Sequence, residues 1–223
     1  MNPGSKLPIV ALDGPAAAGK GTIGRMIAKE FDFAHLDTGG LYRAVAARML
    51  AGDQDPSDRT LAENAARELE IGDLGRPNLR DEAVGRAASV VAAIPGVRAA
   101  LLAYQRNFAA KPPGNAKGAV LDGRDIGTVV CPDATVKIYV TASAQERARR
   151  RIAELEAKGE DADPAQILAD IEARDERDMN RADAPLRPAP DAHLLDTTEL
   201  AIPAAFAKAK AIIARRLDPQ SKG

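Results

Sequence analysis

The chain is poor in cysteine and histidine, almost free of net charge, and without a long apolar run. Its single cysteine in 223 residues excludes an internal disulfide. That residue, Cys131, follows Val129-Val130 and precedes Pro132, which reads as a small packed side chain with no base beside it. His35 and His193 fall in short apolar strand patterns and lack a cysteine or histidine companion at metal-ligand spacing, so each reads as a strand residue. Lys plus Arg number 31 against 32 Asp plus Glu, and a formal net charge of -1 leaves no global field to draw the protein onto a nucleic acid polymer or a membrane. The absence of a hydrophobic leader or an apolar span argues against export and insertion, so a cytoplasmic protein acting on small ligands is expected. No apolar helical stripe is left without a core partner, which points to a monomer.

What is present is alternation. Short β-rich runs at Ile9 to Asp13, Phe33 to Asp37, Ala119 to Asp122, Val136 to Thr141 and Ala192 to Asp196 are separated by helical stretches, the pattern of a parallel five-stranded sheet wrapped by helices. Asp13, Asp37, Asp122 and Asp196 then share the carboxyl rim, where open α/β sheets bind ligands. Between Thr38 and about Pro113 the alternation lapses into helices at Leu41 to Met49, Thr60 to Leu69, Asp81 to Val91 and Pro95 to Ala109, a segment inserted between two strands. Farther on, Ser143-Ala144-Gln145-Glu146 predicts a capping box and Asp163-Pro164-Ala165-Gln166 a second helix start. The polar connection between them, Lys158 to Ala162, reads either as a moving lid or as an ordinary exposed loop.

The first strand runs directly into Gly14-Pro15-Ala16-Ala17-Ala18-Gly19-Lys20-Gly21-Thr22. Gly14 and Gly19 permit backbone angles closed to other residues, so successive amides turn inward on a triphosphate while Lys20 reaches its outer oxygens. Thr22 supplies the hydroxyl, displaced one place by Gly21. In the helix opened by Pro164, the apolar stripe of Ile167 and Ile171 continues at helical spacing into Arg174, Asp178 and Arg181. Charged side chains on an inward stripe must meet water, one another or an anionic ligand. A phosphate-lined cleft and a structural ion network both fit. Asp122-Gly123-Arg124-Asp125-Ile126-Gly127-Thr128 offers an arginine for phosphate and, in Asp125, an acceptor for the exocyclic amine of a base. Asp37-Thr38-Gly39-Gly40-Leu41-Tyr42-Arg43 is a further phosphate site, a helix N-cap, or both.

Together, GPAAAGKGT at 14–22, LDTGGLYR at 36–43, AASVVAAIPGVR at 87–98, DGRDIGTVV at 122–130 and RDERDMNR at 174–181 closely resemble the bacterial-type cytidylate kinases, which phosphorylate CMP and dCMP with ATP. The resemblance implies a P-loop NTPase-type α/β fold forming a single domain. Its core would span 7–37 and 114–217, with an acceptor-binding insertion at about 38–113 and a lid at about 156–164. By resemblance Gly14, Pro15, Ala16, Ala17, Ala18, Gly19, Lys20, Gly21 and Thr22 would bind ATP, with Thr22 beside Mg²⁺. Ser89, Arg98 and Asp125 would recognise cytosine, and Thr38, Arg43 and Arg124 would hold the acceptor phosphate. Arg174 and Asp178 would contact its sugar, with Arg181 nearby. Arg147 and Arg151 resemble a donor-phosphate clamp, Arg149-Arg150 offering another register. Lys20, Arg124, Arg147, Arg151 and Arg181 would thus serve catalysis. Between Leu69 and Asp81 the chain is shorter than many relatives, which carry extra antiparallel strands there.

An acceptor phosphate is already anionic near neutrality, so the implied reaction needs alignment and charge neutralisation rather than a general base. UMP, AMP or a small-molecule hydroxyl are alternative acceptors, against which Ser89, Arg98 and Asp125 argue. A nucleotide-dependent switch is a further alternative, against which the missing Asn-Lys-x-Asp segment argues.

Overall fold

A computed structural model describes residues 6–218; the tail expected to be polar beyond Asp218 lies outside the described residues. Five strands, β1 (Ile9–Asp13), β2 (Ala34–Asp37), β3 (Ala119–Gly123), β4 (Val136–Thr141) and β5 (His193–Asp196), form one sheet in the order β2-β3-β1-β4-β5, every pairing parallel. The central strands are buried on both faces, which is why they read as nearly continuous apolar runs, whereas edge strand β5 buries only Leu195. Alternate residues serve opposite faces. Val10 and Leu12 pack with Ile23 and Ile27 of α1 (Lys20–Phe31) and with Ala209 and Ile213 of α8 (Ile202–Leu217), while Ala11 and Leu121 pack with Ile126 and with Ala109 from α5 (Pro95–Ala110).

The segment between β2 and β3 holds α2 (Thr38–Ala51), α3 (Arg59–Arg67), α4 (Glu82–Val91) and α5. Its apolar core is its own: Leu41, Val45 and Met49 of α2 meet Ala62 and Ala66 of α3, Val84 and Val91 of α4, and Val97 and Leu101 of α5. The shortened stretch at 70–80 forms two 3₁₀ turns, Ile71–Gly75 and Pro77–Arg80, and contains no strand. Asp73 pins the first turn by accepting from the Glu70 amide at 3.1 Å and from Arg76 Nε at 2.9 Å. Helices α4 and α5 meet at a 99° bend, and among the described residues no single helix is long and apolar enough to cross a membrane.

After β4 come α6 (Ala144–Glu156) and α7 (Pro164–Asn180). Ser143 caps α6 by accepting from the Glu146 amide at 3.2 Å, but the reciprocal half of the expected capping box is not made, because the Glu146 carboxylate takes Arg149 and Arg150 instead. Charge-assisted bonds to two guanidiniums outweigh one bond to an amide. Asp163 caps α7 as anticipated, through Ala165 and Gln166. The five-residue π-helix at Ile126–Val130 was not foreseen.

Met49 is fully buried in the insertion's core. Met49→Ala is expected to lower unfolding free energy by about 2–5 kcal/mol in denaturant titration.

Candidate active site

The loop after β1 folds around two glycines, one with no room for a side chain and one in the left-handed region that favours glycine. A Cβ on Gly14 (φ 145°) would stand 1.9 Å from the Val140 carbonyl oxygen, and Gly19 (φ 88°) supplies the left-handed turn into α1. Lys20, the first residue of α1, is buried and donates to the Pro15 carbonyl at 2.7 Å. Burial first, and then the Arg124 guanidinium, push its ammonium down to about 7, although Asp122 and Asp13 oppose the shift. Thr22 lies in the first turn of α1, its hydroxyl accepting from Arg25 at 3.3 Å.

The same cleft gathers arginines from several elements, interleaved with carboxylates. Arg124 donates through Nε to Asp178 at 2.8 Å. Burial pushes the Asp178 carboxyl up, but Arg124 and Arg174 outweigh it and hold it below the ordinary carboxylate value. Arg174 is pushed down to about 10, by burial first and then by Arg124, and its buried Nε has no hydrogen-bond partner among the described residues. Arg43 donates to Asp37 at 2.5 Å while its Nε is likewise unpartnered. Asp37 is the N-cap of α2, accepting from the Gly40 amide at 3.1 Å, and Thr38 donates to the Asp122 carbonyl at 2.8 Å. His35, in β2, contacts the Asp122 carboxylate at 2.7 Å.

Deeper in, Arg98 reaches Asp125 at 2.5 Å and lies 3.4 Å from the Tyr42 hydroxyl. Arg181, the C-cap of α7, approaches Asp125 at 3.6 Å and donates through Nε to the Ala184 carbonyl at 2.7 Å. Burial and the neighbouring Arg98 both lower its proton affinity. Ser89, buried on α4, accepts from Arg177 Nε at 3.2 Å.

A single cleft of about 1390 Å³ has on its walls Lys20, Thr22, Thr38, Arg43, Ser89, Arg98, Arg124, Asp125, Arg174, Asp178 and Arg181. Arg151 also lines it, tied to Glu82 of α4 and to Glu154 at 2.9 Å. Arg147 does not. Its guanidinium is buried behind the loop, where it binds both oxygens of Asp175 at 3.0 and 2.5 Å and donates to the Ala16 carbonyl at 3.3 Å and the Ala142 carbonyl at 3.0 Å. Among the flanking arginines, Arg150 lines the cleft and donates to Thr197, whose hydroxyl in turn donates to the Ala18 carbonyl at 3.3 Å.

Several participants have no role assigned by the motifs. Asp13, at the end of β1, accepts from the amides of Ile126 and Gly127 at 2.7 Å each, tying the phosphate loop's root to the Asp125 turn. Burial raises its carboxyl to about 6 against the pull of those amides. Its place on the rim was legible, but its two partners lie more than a hundred residues away. Asp175, which holds Arg147, lies within the 174–181 motif but was given no role there, and Glu82, which holds Arg151, gave no signal beyond surface charge.

A glycine-framed phosphate loop between strand and helix, on the carboxyl rim of a parallel sheet and facing buried arginines, defines a phosphotransferase of the P-loop kinase class. Residues 10–215 match the family model described as cytidylate kinase. A cytidylate kinase of Paramagnetospirillum magneticum is 58% identical over 205 residues, covering 92% of this chain and 97% of that protein. One of Cereibacter sphaeroides is 60% identical over 200 residues, covering 90% and 92% respectively. The chain belongs to the cytidylate kinase family. A solved structure of an uncharacterized protein from Eubacterium ventriosum, 11% identical, superposes over 93% of this chain and 98% of its own with a TM-score of 0.54, which shows a shared fold alone.

Lys20 yields a pH signature. Its folded-state proton affinity, at about 7, lies below the ordinary 10.5, so between those values the unfolded chain binds the proton more tightly. Stability from this group is therefore present above pH 10.5 and lost as pH falls towards 7. Relative to Lys20→Met, the wild-type protein is expected to gain melting temperature as pH rises from 7 to 10; a pH-independent difference contradicts the buried, cation-flanked lysine.

Proposed function

We propose that this protein transfers the γ-phosphoryl group of ATP to an α-phosphate oxygen of CMP or dCMP, releasing ADP and CDP or dCDP. The observation that carries the reading is the convergence of Lys20, Arg124 and Arg174 on one cleft, where the Arg124 guanidinium lowers the proton affinity of both Lys20 and Arg174. Like charges held so close in a low-dielectric site call for an anion between them. A cleft of about 1390 Å³ exceeds the roughly 300–1,000 Å³ of an ordinary single-ligand pocket, in keeping with two nucleotides end to end.

On this reading the amides and glycines of residues 14–22 cradle the donor phosphates, and Lys20 exchanges its Pro15 carbonyl for a phosphate oxygen. Thr38, Arg43 and Arg124 hold the acceptor phosphate, Arg174 and Asp178 its sugar. Ser89, Arg98 and Asp125 meet the base, while Arg181 stands beside Asp125. Charge spreading over the transferred group is met by cations already fixed in place, so little reorganisation accompanies the reaction. Arg151 completes the donor side, and Arg147 we assign to holding the loop at Ala16 rather than to the phosphates. The helices between β2 and β3 form the acceptor-binding insertion, and the loop between α6 and α7 is the lid whose closure excludes water.

Among the described residues no group of three or more His, Cys, Asp or Glu could hold a metal. That fits Mg²⁺, which binds mostly to phosphate oxygens and water and asks one hydroxyl of the protein, here Thr22. Bound there with ATP, Mg²⁺ neutralises phosphate charge. Every residue assigned to either substrate comes from one chain, so a monomer suffices, and the one buried cysteine needs no oxidising compartment, which accords with a cytoplasmic setting.

The test is ADP formation with CMP, dCMP, UMP, AMP or no acceptor: CMP and dCMP are expected to lead, and turnover without acceptor to be slight. Equal rates with every nucleotide overturn the base assignment. Asp178→Asn keeps an acceptor for Arg124 but removes the charge. It is expected to lower kcat/KM for CMP by roughly 10- to 100-fold with ATP binding within about twofold.

A further inference from the structure

Two of the three residues assigned to the base are hydrogen-bonded to side chains at the end of α7 and just beyond it, to which no role has been given. Ser89 and Arg98 are buried, at 4% and 6% exposure, on helices α4 and α5. Ser89 Oγ accepts from Arg177 Nε at 3.2 Å, and Arg98 Nε donates to Asp183 Oδ2 at 2.8 Å. Arg177 and Asp183 are both exposed residues, one in the last turn of α7 and the other in the turn that follows it. That turn is itself fixed, because the Leu186 amide donates back to the Asp178 carbonyl at 2.8 Å and Arg181 Nε to the Ala184 carbonyl at 2.7 Å.

We propose that Arg177 and Asp183 are positioning residues that set base specificity by fixing the donor directions of Ser89 and Arg98; this rests on the cleft being a cytosine-nucleotide site. A guanidinium is a planar fork of five donors. Held by Asp125 and by a long 3.4 Å contact with the Tyr42 hydroxyl, it can still rock about the Asp125 pair. A second carboxylate on its Nε edge fixes the plane, and with it the direction of every remaining N–H. A fixed donor accepts only an acceptor opposite it, and cytosine presents a bare ring nitrogen where uracil presents N–H. The serine is a rotor with one proton and two lone pairs. A cation donating to one lone pair turns the hydroxyl towards donation elsewhere, again favouring an acceptor on the base.

Exposed charged side chains contribute little to folding, so their loss leaves a folded enzyme in which only the aim of the buried partners has changed. That makes the test clean. kcat/KM for CMP and for UMP, ATP binding and melting temperature are measured on wild type, Asp183→Ala, Asp183→Glu and Arg177→Ala. Each alanine variant is expected to lose roughly fivefold to twentyfold in kcat/KM for CMP and less than about twofold for UMP, with ATP binding and melting temperature nearly unchanged. Asp183→Glu is expected to restore part of the CMP preference. If CMP and UMP fall by one common factor, or the CMP-to-UMP ratio stays at its wild-type value, the two residues are structural ties and the proposal fails. Absence of CMP-dependent ADP formation in the wild-type enzyme overturns instead the reading of the cleft on which it rests.

Discussion

Convergence of like charges on one cleft is the constraint around which this molecule is arranged. Lys20, Arg43, Arg124 and Arg174 come from four segments of the chain: Arg124 lowers the proton affinity of Lys20 and Arg174, Asp122 and Asp13 oppose that shift at Lys20, Asp178 binds Arg124 and Asp37 binds Arg43, and the Nε atoms of Arg43 and Arg174 go unpartnered among the described residues. A folded chain keeps such a cluster only if the rest of the structure holds it in place. The parallel sheet provides that rigidity. Its carboxyl rim fixes the roots of the phosphate loop, of α2 and of the Asp125 turn within one hydrogen-bonded frame, with Asp13 lacing the first to the last.

Behind the cations lies a layer whose work is support. Arg147 spends its whole guanidinium on Asp175 and two carbonyls, one of them at Ala16 in the phosphate loop, so α6 and α7 are joined to each other and to the loop by one buried side chain. Arg150 does the same from the other side through Thr197. The loop's shape is thereby over-determined, which allows Ala17 to sit at φ 58° and Gly14 to press against the Val140 carbonyl.

The strands were legible to within a residue because each is a short apolar run, four of them with an aspartate at the rim, and apolar periodicity is a local signal. The charged continuation of the α7 stripe was legible for the same reason: Arg174, Asp178 and Arg181 occupy positions where a helix of this face points inward. What the sequence did not disclose is pairing at a distance. Glu146 reads from its spacing as the second half of a capping box, and the competition between a neutral amide and two guanidiniums goes the other way. Arg147 and Arg151 looked equivalent one turn apart. One turn on a tapering interface separates a side chain facing the cleft from one sealed behind the loop, and no local pattern records that difference.

The helices between β2 and β3 enclose an apolar core that shares no buried residue with those on either side of the sheet. The clipped turns at 71–75 and 77–80 rest on that separate core, Leu74 and Leu79 packing into it. A change of length in this stretch is therefore taken up first by the insertion's own core, apart from the hydrogen bonds that hold the phosphate loop. The two parts meet through α5, whose Tyr104 packs against both cores, and through ion pairs such as Arg151 with Glu82.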